Sequence, residues 1–225
     1  AWGEPFAKAA YEGQHMKPRF SSFRSALLSI HRTMITIRDE TYCFDNDTSL
    51  SMIEKMVILL EDKRFLEHSG IDAKSIAREL WKVVRRKKHG GASTIEMQLV
   101  RTISQRYERT IRRKISEIFQ AILLQKKFSK VEILRVYMRL AYMGTGIKGF
   151  SEAAKRHYPG LFNIPVNQPW VEADLSLLSL EEAATLASML VYPKPRLPNA
   201  NWAAKITRRA HYGISLFQIE KQRFE

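Results

Sequence analysis

A mainly α-helical fold is predicted by three features of this 225-residue chain. Four Ser-x-x-Glu steps, Ser51/Glu54, Ser93/Glu96, Ser129/Glu132 and Ser179/Glu182, each lead into an apolar-periodic stretch, the sequence form of a helix capping box. Ile111, Ile115, Ile118, Phe119, Ile122 and Leu123 recur at steps of three and four, which lays one continuous stripe along a helix and predicts its core-facing side. Alternating polar and apolar runs, the mark of half-buried strands, are nearly absent.

Taken in order, residues 1–48 carry none of the motifs described below and form an N-terminal segment of unclear role; within them Met34-Ile35-Thr36-Ile37-Arg38 is the best strand candidate. The Ser51 cap opens a helix through Met56-Val57-Ile58-Leu59-Leu60. Ile76, Leu80, Trp81, Val83 and Val84, followed by Arg85-Arg86-Lys87-Lys88-His89, suit an amphipathic segment whose basic end meets anionic headgroups, or equally a core helix ending in a solvated basic loop. Helices from Ser93, through the 111–123 stripe, and from Ser129 follow. Gly144-Thr145-Gly146-Ile147-Lys148-Gly149 satisfies the dinucleotide-binding glycine pattern, but it follows a predicted helix and has no βαβ setting, so it reads as a flexible turn. Pro159 to Pro169 is a loop; Ser179 opens another helix; Pro193, Pro195 and Pro198 stiffen a second loop.

The net charge of +14 implies an anionic partner, whether nucleic acid, a lipid surface or a phosphorylated substrate. Cys43 is the single cysteine, which rules out an intrachain disulfide and a cysteine-built zinc site. No apolar run reaches the roughly 18 to 20 residues that span a bilayer. With alanine at position 1, the expectation is a trimmed chain or peripheral membrane contact.

Three segments carry the chemistry: Glu61-Asp62-Lys63-Arg64-Phe65-Leu66-Glu67-His68-Ser69-Gly70-Ile71-Asp72, Gly90-Gly91-Ala92-Ser93-Thr94-Ile95-Glu96-Met97-Gln98-Leu99, and Arg113-Lys114-Ile115-Ser116-Glu117. Glu61 ends an apolar run, where desolvation favours a general base working near neutral pH, although most helix-end acids are simply solvated. Glu117 lies one turn from Arg113; by itself this spacing describes an exposed ion pair. Gly90-Gly91 before Ser93 can bring backbone N–H groups towards an anion, and Ser93 can be an N-cap, an anion ligand or both. Glu96 completes that capping box yet places negative charge beside the same site.

These segments, with Ser129-Lys130-Val131-Glu132-Ile133-Leu134 and Leu180-Glu181-Glu182-Ala183-Ala184-Thr185-Leu186-Ala187 in the same order, resemble the peptidoglycan glycosyltransferases of glycosyltransferase family 51, from about Ser51 to Arg209. The resemblance implies a lysozyme-like helical domain over 49–225, with a small membrane-contacting jaw lobe that includes the 76–89 stretch. It implies polymerisation of lipid II into β-1,4-linked glycan with release of undecaprenyl pyrophosphate, at the extracytoplasmic face of the bacterial cytoplasmic membrane. Glu61 would deprotonate the acceptor 4-hydroxyl, and Glu117 would be the second essential glutamate, organising cations at the donor pyrophosphate or helping to polarise the reacting centre. By matching position Arg78, Arg101, Arg109, Arg113 and Lys114 would contact phosphate, with Ser93, Thr94 and Gln98 on the substrate. His68 would position the Glu61 loop, which Asp62, Phe65, Gly70 and Asp72 would shape. No cofactor is required on this view, although Mg or Mn could share the pyrophosphate. Expected partners are lipid II, the growing lipid-linked glycan, an anionic membrane surface, other cell-wall synthesis proteins and phosphoglycolipid inhibitors of the moenomycin type; nucleic acid is disfavoured.

The chain departs from the family's pattern at Thr102, Gln125, Arg135 and Arg139, which bears on the third motif's packing and polar network. No Ser-x-x-Lys occurs, so no penicillin-binding transpeptidase serine is present in this sequence. Two other readings remain open on the residues: a muramidase-like hydrolase using paired carboxylates, and a basic helical module that binds membrane or nucleic acid.

Overall fold

A computed structural model describes residues 23–40, 49–85, 93–108, 110–162 and 171–224. In chain order the helices are α1 (Phe23–Glu40), α2 (Met52–Glu61), α3 (Ala73–Val84), α4 (Ile95–Ser104), α5 (Ile111–Gln125), α6 (Lys130–Leu140), α7 (Phe150–His157), α8 (Leu180–Ser188) and α9 (Ala200–Glu220). A two-stranded antiparallel hairpin, β1 (Tyr142–Gly144) and β2 (Ile147–Lys148), lies between α6 and α7. The expected mainly α fold is what forms. No described helix is long and apolar enough to cross a membrane.

Contacts divide the chain into two units, Ala1–Thr48 with Glu61–Leu140, and Ser49–Leu60 with Ala141–Glu225. The first is built around α4, whose Ile95, Met97, Leu99 and Val100 are fully buried. A helix this enclosed must meet apolar faces on several sides. Ile133, Leu134 and Val136 of α6, Ala121 and Leu124 of α5, and Ala26, Ile30 and Met34 of α1 form those faces. Residues 23–40 therefore belong with 61–140, inside the 1–48 stretch that the motifs leave out.

Two expectations are corrected here. Met34 to Arg38 is the last part of α1, not a strand. Ala26, Ile30, Met34 and Ile37 are its buried residues, a helical spacing that the short β-branched run conceals. The stripe on α5 is mostly outward: Ile111, Ile115, Phe119 and Leu123 are exposed, Ile111 by 81% and Phe119 by 57%, while Arg113, Glu117, Gln120, Ala121 and Leu124 are buried. Periodicity locates an apolar face but not what covers it. The inward face of α5 is polar because its charges are paired there.

The caps show where sequence register holds and where it slips. Ser129 and Ser179 form complete boxes with Glu132 and Glu182. At Ser51 the Glu54 carboxylate accepts both the backbone N–H and the hydroxyl, at 2.8 and 2.9 Å. At α4 the cap is Thr94, which accepts the Met97 N–H, and Ser93 is released for other work. Glu96 fails to close that box because Lys130 draws it into the core, Nζ to Oε1 2.5 Å.

In the second unit the small residues Ala183, Ala184 and Ala187 of α8 allow close packing against α9, which buries Ile206, Ala210 and Phe217. Arg209 of α9 donates to the Leu60 carbonyl at 2.8 Å, fixing the last turn of α2. The glycine-rich turn is a fixed hairpin rather than a flexible one. Thr145 N–H donates to the Lys194 carbonyl and Lys194 N–H to that of Met143, both at 2.9 Å. A Cβ on Gly144 would stand 2.6 Å from the Lys194 carbonyl oxygen.

Candidate active site

The chemistry-bearing residues gather in the first unit at three connected places. Glu61 is the last residue of α2 and is half-buried. Gln98 Nε2 on α4 lies 3.4 Å from its Oε2, and Tyr137 on α6 donates its hydroxyl to Gln98 Oε1 at 2.8 Å. Three residues far apart in sequence thus form one file ending at a carboxylate.

The loop after Glu61 is held by its own polar groups. Asp62 Oδ2 accepts the Ile95 N–H at the start of α4 (3.1 Å) and stands 3.0 Å from His68 Nε2. A carboxylate there satisfies a helix-terminal donor and complements the helix dipole. The other side of the imidazole faces Glu96, Nδ1 to Oε1 4.0 Å. Phe65 is fully buried, edge-on to His68, with Lys130 Nζ 4.3 Å from its ring centroid. Gly70 has φ +90°, and a Cβ on it would stand 2.7 Å from the Ala121 carbonyl oxygen of α5. Its own carbonyl accepts the Thr94 hydroxyl at 2.8 Å.

Asp72 closes the same loop, bonded to Ser75 Oγ (2.6 Å), Ser75 N–H (3.1 Å) and Arg64 Nη1 (2.7 Å). Burial pushes its carboxyl up, but the Ser75 bonds and the Arg64 and His68 charges pull it down further, leaving it below the usual 3.8.

The third place is cationic. Glu117 of α5 is buried between two guanidinium groups. Arg101 reaches it with Nε to Oε1 (3.0 Å) and Nη2 to Oε2 (3.3 Å), and Arg113 bonds Oε1. Beside them Ser93 Oγ accepts Lys114 Nζ at 2.9 Å, with Arg101 Nη2 at 3.5 Å. Arg101 and Arg113 share the Glu117 carboxylate, and Lys114 lies beside them on Ser93. A hydroxyl and two long cationic side chains converging on one point form a receptor for an anion.

Residues 32–217 match the protein-family model described as Transglycosylase. The chain belongs to the transglycosylase family. It is 33% identical over 180 residues to a biosynthetic peptidoglycan transglycosylase of Nitrosomonas eutropha, covering 79% of this chain and 68% of that protein. A protein of the same name from Nitrosospira multiformis is 34% identical over 161 residues, 69% of this chain and 64% of the relative. Penicillin-binding protein 1F of Bacillus subtilis is 35% identical over 150 residues, 64% of this chain but 20% of that longer protein. The chain thus spans about two thirds of the peptidoglycan transglycosylases it matches and a fifth of the penicillin-binding protein.

In this transglycosylase the sequence-derived residues separate by geometry. Ser93, Arg101, Arg113, Lys114 and Glu117 are brought together; Glu61 and Gln98 form the neighbouring pair. Thr94 is buried, and its hydroxyl is engaged by Gly70 and Met97, which makes it an anchor of α4. Arg78 donates to Ser75 Oγ at 3.0 Å, on the Asp72 side rather than at Ser93. Arg109, Gly90 and Gly91 lie outside the described residues. The ion pair of Glu117 is buried rather than exposed, because Arg101 closes it from another helix.

Sequence reading left the contacts of Tyr137 and Lys130 unassigned. Lys130 stood in a recognised motif but without an assigned partner, and Tyr137 is 39 residues from Gln98. Of the departures, Thr102 bonds the Gln98 carbonyl of its own helix (2.9 Å), and Gln125 Nε2 reaches the Phe128 carbonyl (3.3 Å). Both serve local backbone.

Proposed function

We infer that this transglycosylase is an inverting peptidoglycan glycosyltransferase, joining lipid II to a lipid-pyrophosphate-linked glycan. The observation that carries the inference is the separation of labour in the first unit: one glutamate held by an amide file, and a cationic receptor at Ser93, Arg101 and Lys114. Glu61 takes the proton of the acceptor 4-hydroxyl as that oxygen attacks the donor's anomeric carbon from the face opposite the pyrophosphate. The new β-1,4 carbon–oxygen bond forms while the bond to pyrophosphate breaks. Its electron pair leaves on a phosphate oxygen, so the leaving group needs charge neutralisation more than a proton, and preorganised cations provide it. Glu117 spaces and orients Arg101 and Arg113.

A hydrolase of two carboxylates would need one of them to carry and deliver a proton to a sugar oxygen. Glu117, gripped by two guanidinium groups, is built to organise cations. A divalent ion, Mg or Mn, would enter with the pyrophosphate, because Glu117 holds two arginines and the buried Asp62–His68–Glu96 group already holds Lys130. The outward stripe of α5, together with Trp81 of α3 under Arg85 (4.4 Å to the ring centroid), suits contact with an anionic bilayer. That contact would place the site beside a lipid-borne substrate, at the extracytoplasmic face of the cytoplasmic membrane. Phosphoglycolipids of the moenomycin type would compete for the same cations, and other cell-wall synthesis proteins would be neighbours.

The test is to offer the purified chain labelled lipid II and, separately, finished glycan. A glycosyltransferase lengthens the first and leaves the second intact. Shortening of the finished glycan would sink the reading.

A further inference from the structure

We propose that Tyr137 is a positioning residue for the reaction, setting the orientation of the Gln98 amide so that its NH2 group, and not its carbonyl, faces Glu61. The inference rests on Glu61 being the base. A carboxylate only accepts hydrogen bonds, so the Gln98 group 3.4 Å from Glu61 Oε2 must be the nitrogen. The amide oxygen then faces α6, where it needs a donor, and the Tyr137 hydroxyl at 2.8 Å is that donor. Were the amide reversed, two oxygens would oppose each other at Glu61 and the phenol would have to accept.

Tyr137 is 4% exposed and packed in the core of the first unit, so its hydroxyl is held in place by the ring. Gln98 is anchored at its backbone by Thr102 Oγ1, which leaves the side-chain amide as the rotating element. The bond to Glu61 is long, and Tyr137 acts through its direction. A donor held on the carboxylate keeps it aimed at the acceptor hydroxyl.

The experiment is a cycle of Tyr137→Phe, Gln98→Ala and the double variant in the full chain, measuring lipid II polymerisation from pH 5 to 9. Tyr137→Phe keeps the ring and gives up a part-buried hydrogen bond, so the melting temperature should fall by only about 2 to 4 °C. Loss of one orienting hydrogen bond should lower kcat about five- to tenfold with KM within about twofold. The acid limb of the kcat profile should move to higher pH, since a carboxylate that loses a donor is protonated more readily. In the Gln98→Ala background Tyr137→Phe should cost nothing further. Independent losses that add, an unmoved acid limb, or a defect confined to KM would overturn the proposal.

A native chain that makes no glycan would refute the functional reading and with it the catalytic part of this proposal, leaving the orientation of Gln98 towards Glu61 to be tested by itself. In that event a carbon-13 titration of the Glu61 carboxyl decides. An upward move of its midpoint in Tyr137→Phe supports the positioning role, and identical midpoints overturn it.

Discussion

The two glutamates of this transglycosylase should respond differently to the same change. Glu117→Gln removes a charge from a site where the Glu117 side chain is 3% exposed and its partners Arg113 and Arg101 are 8% and 15% exposed. Breaking a buried ion pair leaves uncompensated charge, at about 3 to 5 kcal/mol. The glutamine oxygen still accepts one hydrogen bond, so the lower end applies. At about 2 to 4 °C per kcal/mol for a chain of this size, a loss near 3 kcal/mol lowers Tm by about 6 to 12 °C. Glu61→Gln acts on a half-buried helix end rather than on a buried ion pair, so Tm should fall by less than in Glu117→Gln. Activity should fall in both, and in Glu61→Gln by roughly 10² to 10⁴ through loss of the base. Calorimetry beside a lipid II polymerisation assay reads both quantities. An unshifted Tm in Glu117→Gln would refute the claim that this carboxylate binds the cationic cluster together, whatever the activity.

Gly70→Ala should cost at least about 2 kcal/mol, from a positive φ and a Cβ driven against the Ala121 carbonyl, and lower Tm by about 4 to 8 °C. Wild-type Tm in that variant would show that the loop does not approach α5 so closely. Asp72→Asn should flatten the acid limb of stability. Its carboxyl is held below 3.8 in the fold, so the unfolded chain takes up a proton first as pH falls, and this contribution is present above about pH 4 and lost below it. Chemical denaturation at pH 3 and pH 6 should show a smaller difference in the variant than in the native chain; equal differences would contradict the Ser75 and Arg64 bonds as its cause. Phe119→Glu, on the exposed stripe, should leave Tm unchanged and reduce sedimentation with anionic vesicles about tenfold or more, the value of one buried aromatic. Undiminished sedimentation would remove the stripe from the membrane contact.

Much of the fold was legible because helix starts are local. Ser129, Ser179 and Glu54 act within three residues of their partners, so spacing alone reveals them. The α4 cap was misplaced by one residue because Ser93 and Thr94 are both good caps, and the choice is made by Gly70 and Lys114, 24 and 21 residues away. The α5 stripe was located correctly and faced wrongly, since no local pattern reports that Arg101 and Arg113 would draw the charged side inward. Met34 to Arg38 looked like a strand because five residues hide a helical spacing that begins at Ala26. Glu61, Glu117, Arg101 and Lys114 were singled out by motif, and the structure brings Glu117, Arg101 and Lys114 together. Tyr137 was not, because its significance lies in a contact with Gln98 across two helices.

The most direct measurement is polymerisation of labelled lipid II by the native chain and by Glu61→Gln in matched detergent, with glycans resolved by length and lipid pyrophosphate quantified. The account predicts glycan from the native chain, one lipid pyrophosphate released for each bond formed, and almost no product from the variant. A folded native chain that binds lipid II and makes no glycan, or a Glu61→Gln variant that polymerises at the native rate, would contradict it.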